Sequence, residues 1–145
     1  MSKNILTYIL IAAFLISACS SSSDIAYTPP ALEGDWSVRM IQSGGIAGVN
    51  RAVEVLSNGS YTVYPQAGSE GTTGQLSESE LAQLQALIAN LEIANVRTDM
   101  MCNDCFEYDI EIQSGGRKMV LDLDDMTLPD SGAGELVTFL SGLMQ

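Results

Sequence analysis

The residues best suited to chemistry in this chain are two cysteines separated by two residues, Cys102 and Cys105. This spacing occurs in redox pairs, in half of a zinc site and in short structural disulfides. A redox pair needs its first cysteine at a helix N-terminus, whereas this pair precedes a predicted strand beside two carboxylates, Asp104 and Glu107, which disfavour a thiolate. A tetrahedral zinc site needs further soft ligands, and the domain has none. The pattern favours a structural disulfide, with redox activity and free thiols as the alternatives.

Carboxylates are the second group of side chains with a potential for chemistry. Glu107, Asp109 and Glu111 alternate along one predicted strand, so they share a face and could act as acid and base on a glycosidic bond. The segment Leu121–Asp125, with Asp130 nearby, is rich in the oxygen ligands that calcium prefers, but it lacks the glycine and the ligand spacing of an EF-hand loop. Nothing in the sequence distinguishes one carboxylate from its neighbours. A solvated acidic strand face and a charged strand end are therefore the better interpretation.

Composition narrows the functions further. The chain contains no histidine, which excludes Ser-His-Asp and Cys-His catalysis and every histidine-based zinc site. Eighteen acidic residues against six basic ones give a net charge of −12, which argues against nucleic acid and anionic lipid head groups as partners. We therefore predict a protein that is not an enzyme, uses no metal or cofactor and binds no nucleic acid.

The N-terminal segment has the composition of an export signal. A single early cation, Lys3, precedes an apolar run from Ile5 to Ala18, and Cys19 follows the small residues at its end. This run is shorter than the ~20 apolar residues that a membrane-spanning helix needs, so an uncleaved anchor is the weaker interpretation. A generic signal peptide with a chance cysteine is the other alternative.

The stretch Leu15–Cys19 resembles the lipobox of bacterial lipoproteins. In that family the signal is cut before the cysteine, whose thiol takes a diacylglycerol and whose new amino group is acylated, commonly with palmitate. The resemblance implies a signal peptide over residues 1–18 and a lipidated Cys19. It implies an extracytoplasmic protein held on the membrane by its lipid alone. Ser20, where an aspartate would signal retention at the inner membrane, favours the outer membrane if the cell has one.

Beyond the signal, the chain divides into a tether and one domain. Residues 19–31, rich in serine and ending near Pro29 and Pro30, predict a flexible tether. Residues 32–145 are long enough for a single domain with one hydrophobic core.

The first half of the domain predicts three strands, in which apolar and polar residues alternate. They are Trp36–Ile41, Val49–Leu56 and Ser60–Tyr64. Arg51 interrupts the apolar side of the second strand. The glycine-rich segment Ser43–Gly48 links the first two, and Asn58–Gly59 predicts a type I′ hairpin turn between the second and third. We interpret Gln66–Gly74 as a loop.

The second half predicts two helices on either side of a β-hairpin. The elements are a helix from Glu78 to about Glu92, strands over Phe106–Ile112 and Arg117–Leu123, and a closing helix over Glu135–Met144. Ser77 and Glu80 form a capping box at the first helix, and Lys118 faces the acidic row across the hairpin. The order β-β-β-α-β-β-α predicts an α+β fold, an antiparallel sheet of about five strands with two helices packed on one face.

Five short stretches of this domain, taken together, match the pattern of a known family. They are Ser43–Gly48, the helix start Leu76–Leu84, the alternating Asp104–Ile110, the turn Gly115–Arg117 and the late Leu128–Leu140. In these stretches the chain resembles emfourin, a family of bacterial protein inhibitors of thermolysin-like metalloproteases. The similarity covers nearly the whole domain. The export segment, Trp36, the Asn58–Gly59 hairpin and the cysteine pair are additions to the family pattern.

The resemblance implies a lipid-tethered inhibitor that occludes the cleft of a secreted or periplasmic metalloprotease by a pre-organised surface. It points to one contact segment, with Ile46 as the apolar anchor: Gly44, Gly45, Ile46, Ala47 and Gly48. A tight strand connection that needs positive φ is the competing interpretation of these glycines. The competing function is a non-catalytic envelope lipoprotein that binds another envelope protein through its sheet face or its acidic row.

Overall fold

The computed structural model describes residues 28–94 and 102–145. The elements, in chain order, are β1 (Trp36–Gly44), β2 (Val49–Leu56), β3 (Ser60–Tyr64), β4 (Thr72–Gln75), α1 (Glu78–Ala89), β5 (Phe106–Ser114), β6 (Arg117–Asp124), the short 3-10 helix η1 (Leu128–Asp130) and α2 (Gly134–Leu143). The signal peptide, Cys19 and the tether up to residue 27 lie outside the described residues. Within the described ranges, no helix is long and apolar enough to cross a membrane.

The strands form one antiparallel sheet in the order β4-β3-β2-β1-β5-β6. The predicted α+β fold is confirmed, with six strands in place of about five. Strand β1 lies at the centre, because it pairs along its whole length with β2 on one side and with β5 on the other. Strands β1 to β4 pair in chain order, and β5 pairs with β6. The pairing of β1 with β5 joins these two groups of strands, which α1 separates in the chain.

The alternation of buried and exposed residues shows that both helices pack on the same face of the sheet. Met40 of β1 lies opposite Val53 of β2 and Ile110 of β5, and all three are fully buried. Helix residues complete this single core: Leu84 and Ile88 from α1, and Leu136, Val137 and Leu140 from α2. The opposite face of the sheet, which we call the open face, carries Glu107, Asp109 and Glu111 of β5 and Lys118 and Asp122 of β6.

Helix α1 begins where the sequence predicts and ends earlier. The capping box is formed, with the Ser77 backbone N–H donating to the Glu80 carboxylate at 2.8 Å and the Glu80 N–H donating to the Ser77 hydroxyl at 3.3 Å. Its end was expected at about Glu92, but the helix stops at Ala89, because Asn90 caps it. The Asn90 side-chain amide and backbone N–H both donate to the Ala86 carbonyl, at 2.9 and 3.0 Å.

Strand β4 was interpreted as part of a loop, and that interpretation is wrong. Thr72–Gln75 pairs antiparallel with β3 at the edge of the sheet. Three of its four residues are exposed, so the segment has no apolar alternation by which a strand could be detected. Gly74 is needed there because the Tyr61 ring occupies the space that a side chain would fill.

The hairpin at Asn58–Gly59 forms, but its turn is not type I′. Only Gly59 has positive φ, at 81°. Its N–H donates to the Leu56 carbonyl at 2.8 Å, which makes a three-residue loop with a left-handed glycine at its end. The Asn58 side-chain oxygen accepts the Ser60 N–H at 2.9 Å, which favours this turn.

Arg51 interrupts the apolar side of β2 as predicted, and its polar groups are satisfied. Its Nε–H donates to the Gln42 side-chain oxygen at 2.8 Å, and Nη1 donates to the Met144 carbonyl at 3.3 Å just after α2. A half-buried guanidinium therefore ties the sheet to the end of the closing helix.

Candidate interaction surface

The glycine-rich segment Ser43–Gly48 comprises the end of β1 and the turn that follows it, because Ser43 and Gly44 still pair within the sheet. Gly44, Gly45 and Gly48 have positive φ, at 90°, 68° and 60°. The Gly48 N–H donates to the Gly45 carbonyl at 3.0 Å. The conformational interpretation of these glycines is therefore confirmed, because residues with a Cβ rarely adopt such angles.

Ile46 stands at the top of this turn. Its side chain is 92% exposed, more than the other large hydrophobic side chains on the described surface, Val120 (56%), Met126 (48%) and Leu56. Ala47 beside it is also exposed. Nothing in the described domain packs over the Ile46 side chain, so it is free to enter a pocket of another molecule.

Cys102 and Cys105 are joined in a disulfide, with their Cα atoms 5.7 Å apart. The bond closes a ring of four residues just before β5. Inside the ring, Asp104 has a φ of 68°, and it is the one residue other than glycine with positive φ in the described ranges. Aspartate tolerates this left-handed conformation better than most residues.

The glycine turn and the disulfide ring are in direct contact. The Gly45 N–H donates to the Cys105 carbonyl at 2.9 Å. A Cβ on Gly44 would collide with that same carbonyl oxygen, and a Cβ on Gly45 would lie 2.8 Å from the Phe106 ring. The sequence predicts each feature but not their contact, because some sixty residues separate them and only the β1–β5 register, with Gly44 opposite Phe106, brings them together.

A third loop, between β6 and η1, holds the other side of the disulfide ring. The Asp125 carboxylate accepts the Phe106 N–H at 2.9 Å and the Tyr108 hydroxyl at 3.0 Å. Burial of the Tyr108 ring, and then its hydrogen bond to this carboxylate, raise the pKa of Tyr108. Met126 in this loop is half exposed. We call the end of the sheet formed by residues 45–48, 102–105 and 124–127 the tip.

The carboxylates of β5 lie on the open face, as the alternation predicts. Asp109 lies opposite Asp122 of β6, and burial, followed by repulsion from Asp122 and Glu107, raises the pKa of Asp109. At the far end of the row, Lys118 pairs with Glu111 at 2.6 Å, as predicted, and its hydrogen bond lowers the pKa of Glu111. Of the three carboxylates in this row, Glu111 is therefore the one that forms a salt bridge with a basic side chain.

The aspartate that ends β6 stabilises the loop that follows it. The Asp124 carboxylate accepts the Thr127 N–H at 2.7 Å and its hydroxyl at 2.8 Å, and the hydroxyl bond is the main cause of the lowered pKa of Asp124. In residues 28–94 and 102–145, no three histidine, cysteine, aspartate or glutamate side chains are grouped so that they could hold a metal ion.

No protein-family model matches this chain, and no curated protein is similar to it. The resemblances to lipoproteins and to emfourin therefore stay predictions. What the domain offers to a partner is two surfaces: the tip, with a protruding aliphatic side chain, and the open face, with its acidic row.

Proposed function

We propose that this protein is a lipid-anchored inhibitor of a thermolysin-like metalloprotease and that the tip is its inhibitory surface. The observation that supports this most is Ile46, an almost fully exposed aliphatic side chain on a turn that is hydrogen-bonded to a disulfide-closed loop. Single exposed hydrophobic residues are common on proteins. A single one on a turn fixed by a neighbouring covalent ring is the arrangement that a rigid binding loop requires.

Rigidity is what gives such a loop affinity. Binding costs free energy for every side chain and segment that must be ordered, and a turn that is already fixed avoids most of that cost. The energy of protein interfaces is concentrated in a few residues that fill pockets at the centre, surrounded by contacts that exclude water. Ile46 is suited to the first role, and the exposed Ala47 and Met126 are suited to the second.

An inhibitor of this kind performs no reaction. It occupies the cleft of the protease and excludes substrate. A loop whose ends are held by β1 and β2, and whose first residue, Gly45, is hydrogen-bonded to Cys105, also resists the extended conformation that proteases need for cleavage. The lipid proposed on Cys19 would keep this inhibitor at the cell surface, where secreted proteases are encountered.

Titration of a thermolysin-like protease with the full chain, purified in detergent, tests the proposal. We expect peptide hydrolysis to fall as the chain is added. Ile46→Asp should raise the inhibition constant by about thirtyfold or more, because truncating a central interface residue costs about 2 kcal/mol or more. Val120→Asp is the matched control, since Val120 is also exposed but lies in the middle of β6, away from the tip.

Unchanged hydrolysis at micromolar concentrations of the chain would rule out inhibition of this protease class. Equal effects of Ile46→Asp and Val120→Asp would show that the tip is not the inhibitory surface.

The second candidate function is a module that binds a basic envelope protein through the open face. The crowding of Asp109 by Glu107 and Asp122 favours it, because a cationic partner would relieve that repulsion. The Ile46→Asp variant separates the two candidates when binding to a basic protein is measured. Binding that is lost on neutralising Asp109 and Asp122, but is kept in Ile46→Asp, would support this second function.

A further inference from the structure

We infer that the disulfide-closed loop Cys102–Cys105 is the positioning element of the Ile46 turn. The role of this loop in inhibition rests on the function proposed above, whereas its role in holding the turn does not. The loop need not contact a partner itself. It acts by fixing the peptide group that holds the turn.

The link is the peptide group between Cys105 and Phe106. In a trans peptide the C=O and N–H point in opposite directions. Here the carbonyl accepts the Gly45 N–H at 2.9 Å, while the N–H on the other side donates to the Asp125 carboxylate at 2.9 Å. One rigid peptide plane therefore connects the three loops of the tip and sets where the turn stands.

The disulfide restrains this peptide group, because the residue that supplies its carbonyl, Cys105, is part of the ring. Cys105 is bonded to Cys102, and the short ring between them holds Asp104 at a φ of 68°. A non-glycine residue leaves the left-handed region when it is not constrained, since negative φ is lower in energy. Opening the ring therefore allows Asp104 to change conformation, and the adjoining Cys105 carbonyl loses its fixed direction.

The turn lies directly against this peptide group. Gly44 and Gly45 approach the loop so closely that a Cβ on Gly44 would strike the Cys105 carbonyl oxygen. By contrast, Gly48 at the other side of the turn has no atom within 4 Å of the position of its missing Cβ. Gly44 and Gly48 both have positive φ, but of these two only Gly44 lies against the disulfide ring, where a Cβ would not fit. This difference provides a matched pair of variants.

Amide hydrogen exchange of the full chain in detergent tests the positioning role without any protease. We expect the combined Cys102→Ser and Cys105→Ser substitutions to speed exchange of the Gly45 amide by about five- to tenfold, the factor that corresponds to losing one hydrogen bond. The Gly59 amide, bonded to Leu56 at the opposite end of the sheet, is the internal control and should not change. Unchanged exchange at Gly45, or equal acceleration at Gly45 and Gly59, would overturn the inference.

Substitutions of Gly44 and Gly48 provide a second test, which decides the question even if the cysteine variant loses its fold. Gly44→Ala should speed exchange of the Gly45 amide as the cysteine substitutions do, because the new Cβ pushes the turn away from Cys105. Gly48→Ala, which adds strain but no collision, should leave the Gly45 amide bonded. The reverse order of effects would show that strain in the turn, and not contact with the disulfide loop, controls its position.

A double-mutant cycle then links position to inhibition. If the loop acts only by presenting Ile46, the cysteine substitutions should weaken inhibition in the wild-type background and have no further effect once Ile46→Ala is present. Additive effects would overturn this link, because they would mean that the loop contributes on its own. A wild-type chain that does not inhibit at all would contradict the proposed function, while the exchange experiment would still decide whether the loop holds the turn.

Discussion

Asp109 shows how a single carboxylate on the open face affects stability. Its folded pKa is raised, first by burial and then by Asp122 opposite and Glu107 on the same strand, and the residue facing it on β1 is the apolar Ile41. A carboxylate with a raised folded pKa holds its proton more tightly in the folded state than in the unfolded state. The free energy of unfolding therefore falls as the pH rises from the unfolded pKa to the folded one.

We expect Asp109→Asn to stabilise the protein at neutral pH, because it removes the repelled charge. Urea unfolding should give a higher midpoint for this variant at about pH 7. The gain should disappear near pH 3, where the Asp109 carboxyl of the wild-type protein is mostly protonated in both the folded and the unfolded state. A gain of the same size at both pH values would mean that charge is not the cause.

Asp124 is the matched residue, because its pKa is shifted in the opposite direction to that of Asp109. Its folded pKa is lowered, chiefly by the Thr127 hydroxyl, so its contribution to stability is present above the unfolded pKa and is lost as the pH falls through the folded one. Asp124→Asn should therefore lower the urea midpoint at about pH 7, and by less near pH 3. If it had no effect at neutral pH, the hydrogen bonds to Thr127 would not contribute to stability.

At the scale of single residues, the sequence predicts which side chains matter better than it predicts what they contact. The exposed row Glu107, Asp109 and Glu111 and its partner Lys118 follow from alternation along two strands joined by a tight turn. The bond of Asp125 to Phe106 and Tyr108 does not, because it depends on how a loop folds back over a neighbouring strand.

Helix α1 is the element whose local signals are strongest, and its cap can be tested directly. Ser77→Ala removes the hydroxyl that accepts the Glu80 N–H and that also donates to the Glu80 carboxylate at 2.6 Å. We expect a loss of about 1 kcal/mol in the free energy of unfolding, the usual cost of deleting a helix N-cap. Urea denaturation at neutral pH measures it.

Thr138→Ala in α2 is the control for this cap. Thr138 is also an exposed helix hydroxyl, but it bonds back to the Gly134 carbonyl at 2.8 Å and caps no free N–H group. Its removal should be close to neutral, because alanine has the higher helix propensity. Equal losses in both variants would show that the Ser77 cap is not what stabilises α1.

Elements with an apolar stripe or a cap were predicted within a few residues, and those without were not. Strands β2 and β3 and the start of α1 agree with the sequence pattern, since periodicity and capping are local properties. Strand β4 was missed because an exposed edge strand is stabilised by its neighbour's backbone and not by its own side chains. The sequence pattern also predicts the wrong turn type at Asn58–Gly59, because the hydrogen bond from the Ser60 N–H to the Asn58 side chain favours a different conformation.

In the described part of the chain, the sheet has two distinct ends, and the pairing of β1 with β5 shows which loops lie at each. The antiparallel pairing places Trp36 opposite Ser114 at one end and Gly44 opposite Phe106 at the other. Because these partners are far apart in sequence, no local pattern predicts that the glycine turn, the cysteine pair and Asp125 share an end. The same ladder separates the tip from the point where the tether joins the domain.

Ser114 fixes that joining point. Its buried hydroxyl donates to the Ala31 carbonyl at 2.7 Å and accepts the Glu33 N–H at 2.9 Å, so the tether enters the domain at the end opposite the tip. Along the nine residues of β1, at about 3.3 Å per residue, the two ends lie about 26 Å apart.

Under the proposed lipidation of Cys19, the tip should therefore point away from the membrane and meet proteins in solution. Energy transfer tests this with the lipidated chain in vesicles that carry an acceptor lipid and a donor dye on Ile46→Cys or on Asp35→Cys, two exposed positions at opposite ends of β1. We expect stronger transfer from position 35 than from position 46, because transfer falls steeply with distance. Ser114→Ala, which releases the tether from the sheet, should reduce the difference between the two positions. Equal or reversed transfer in the native background would mean that the domain lies along the membrane, and an inhibitory tip would then have to act on a partner at the bilayer surface.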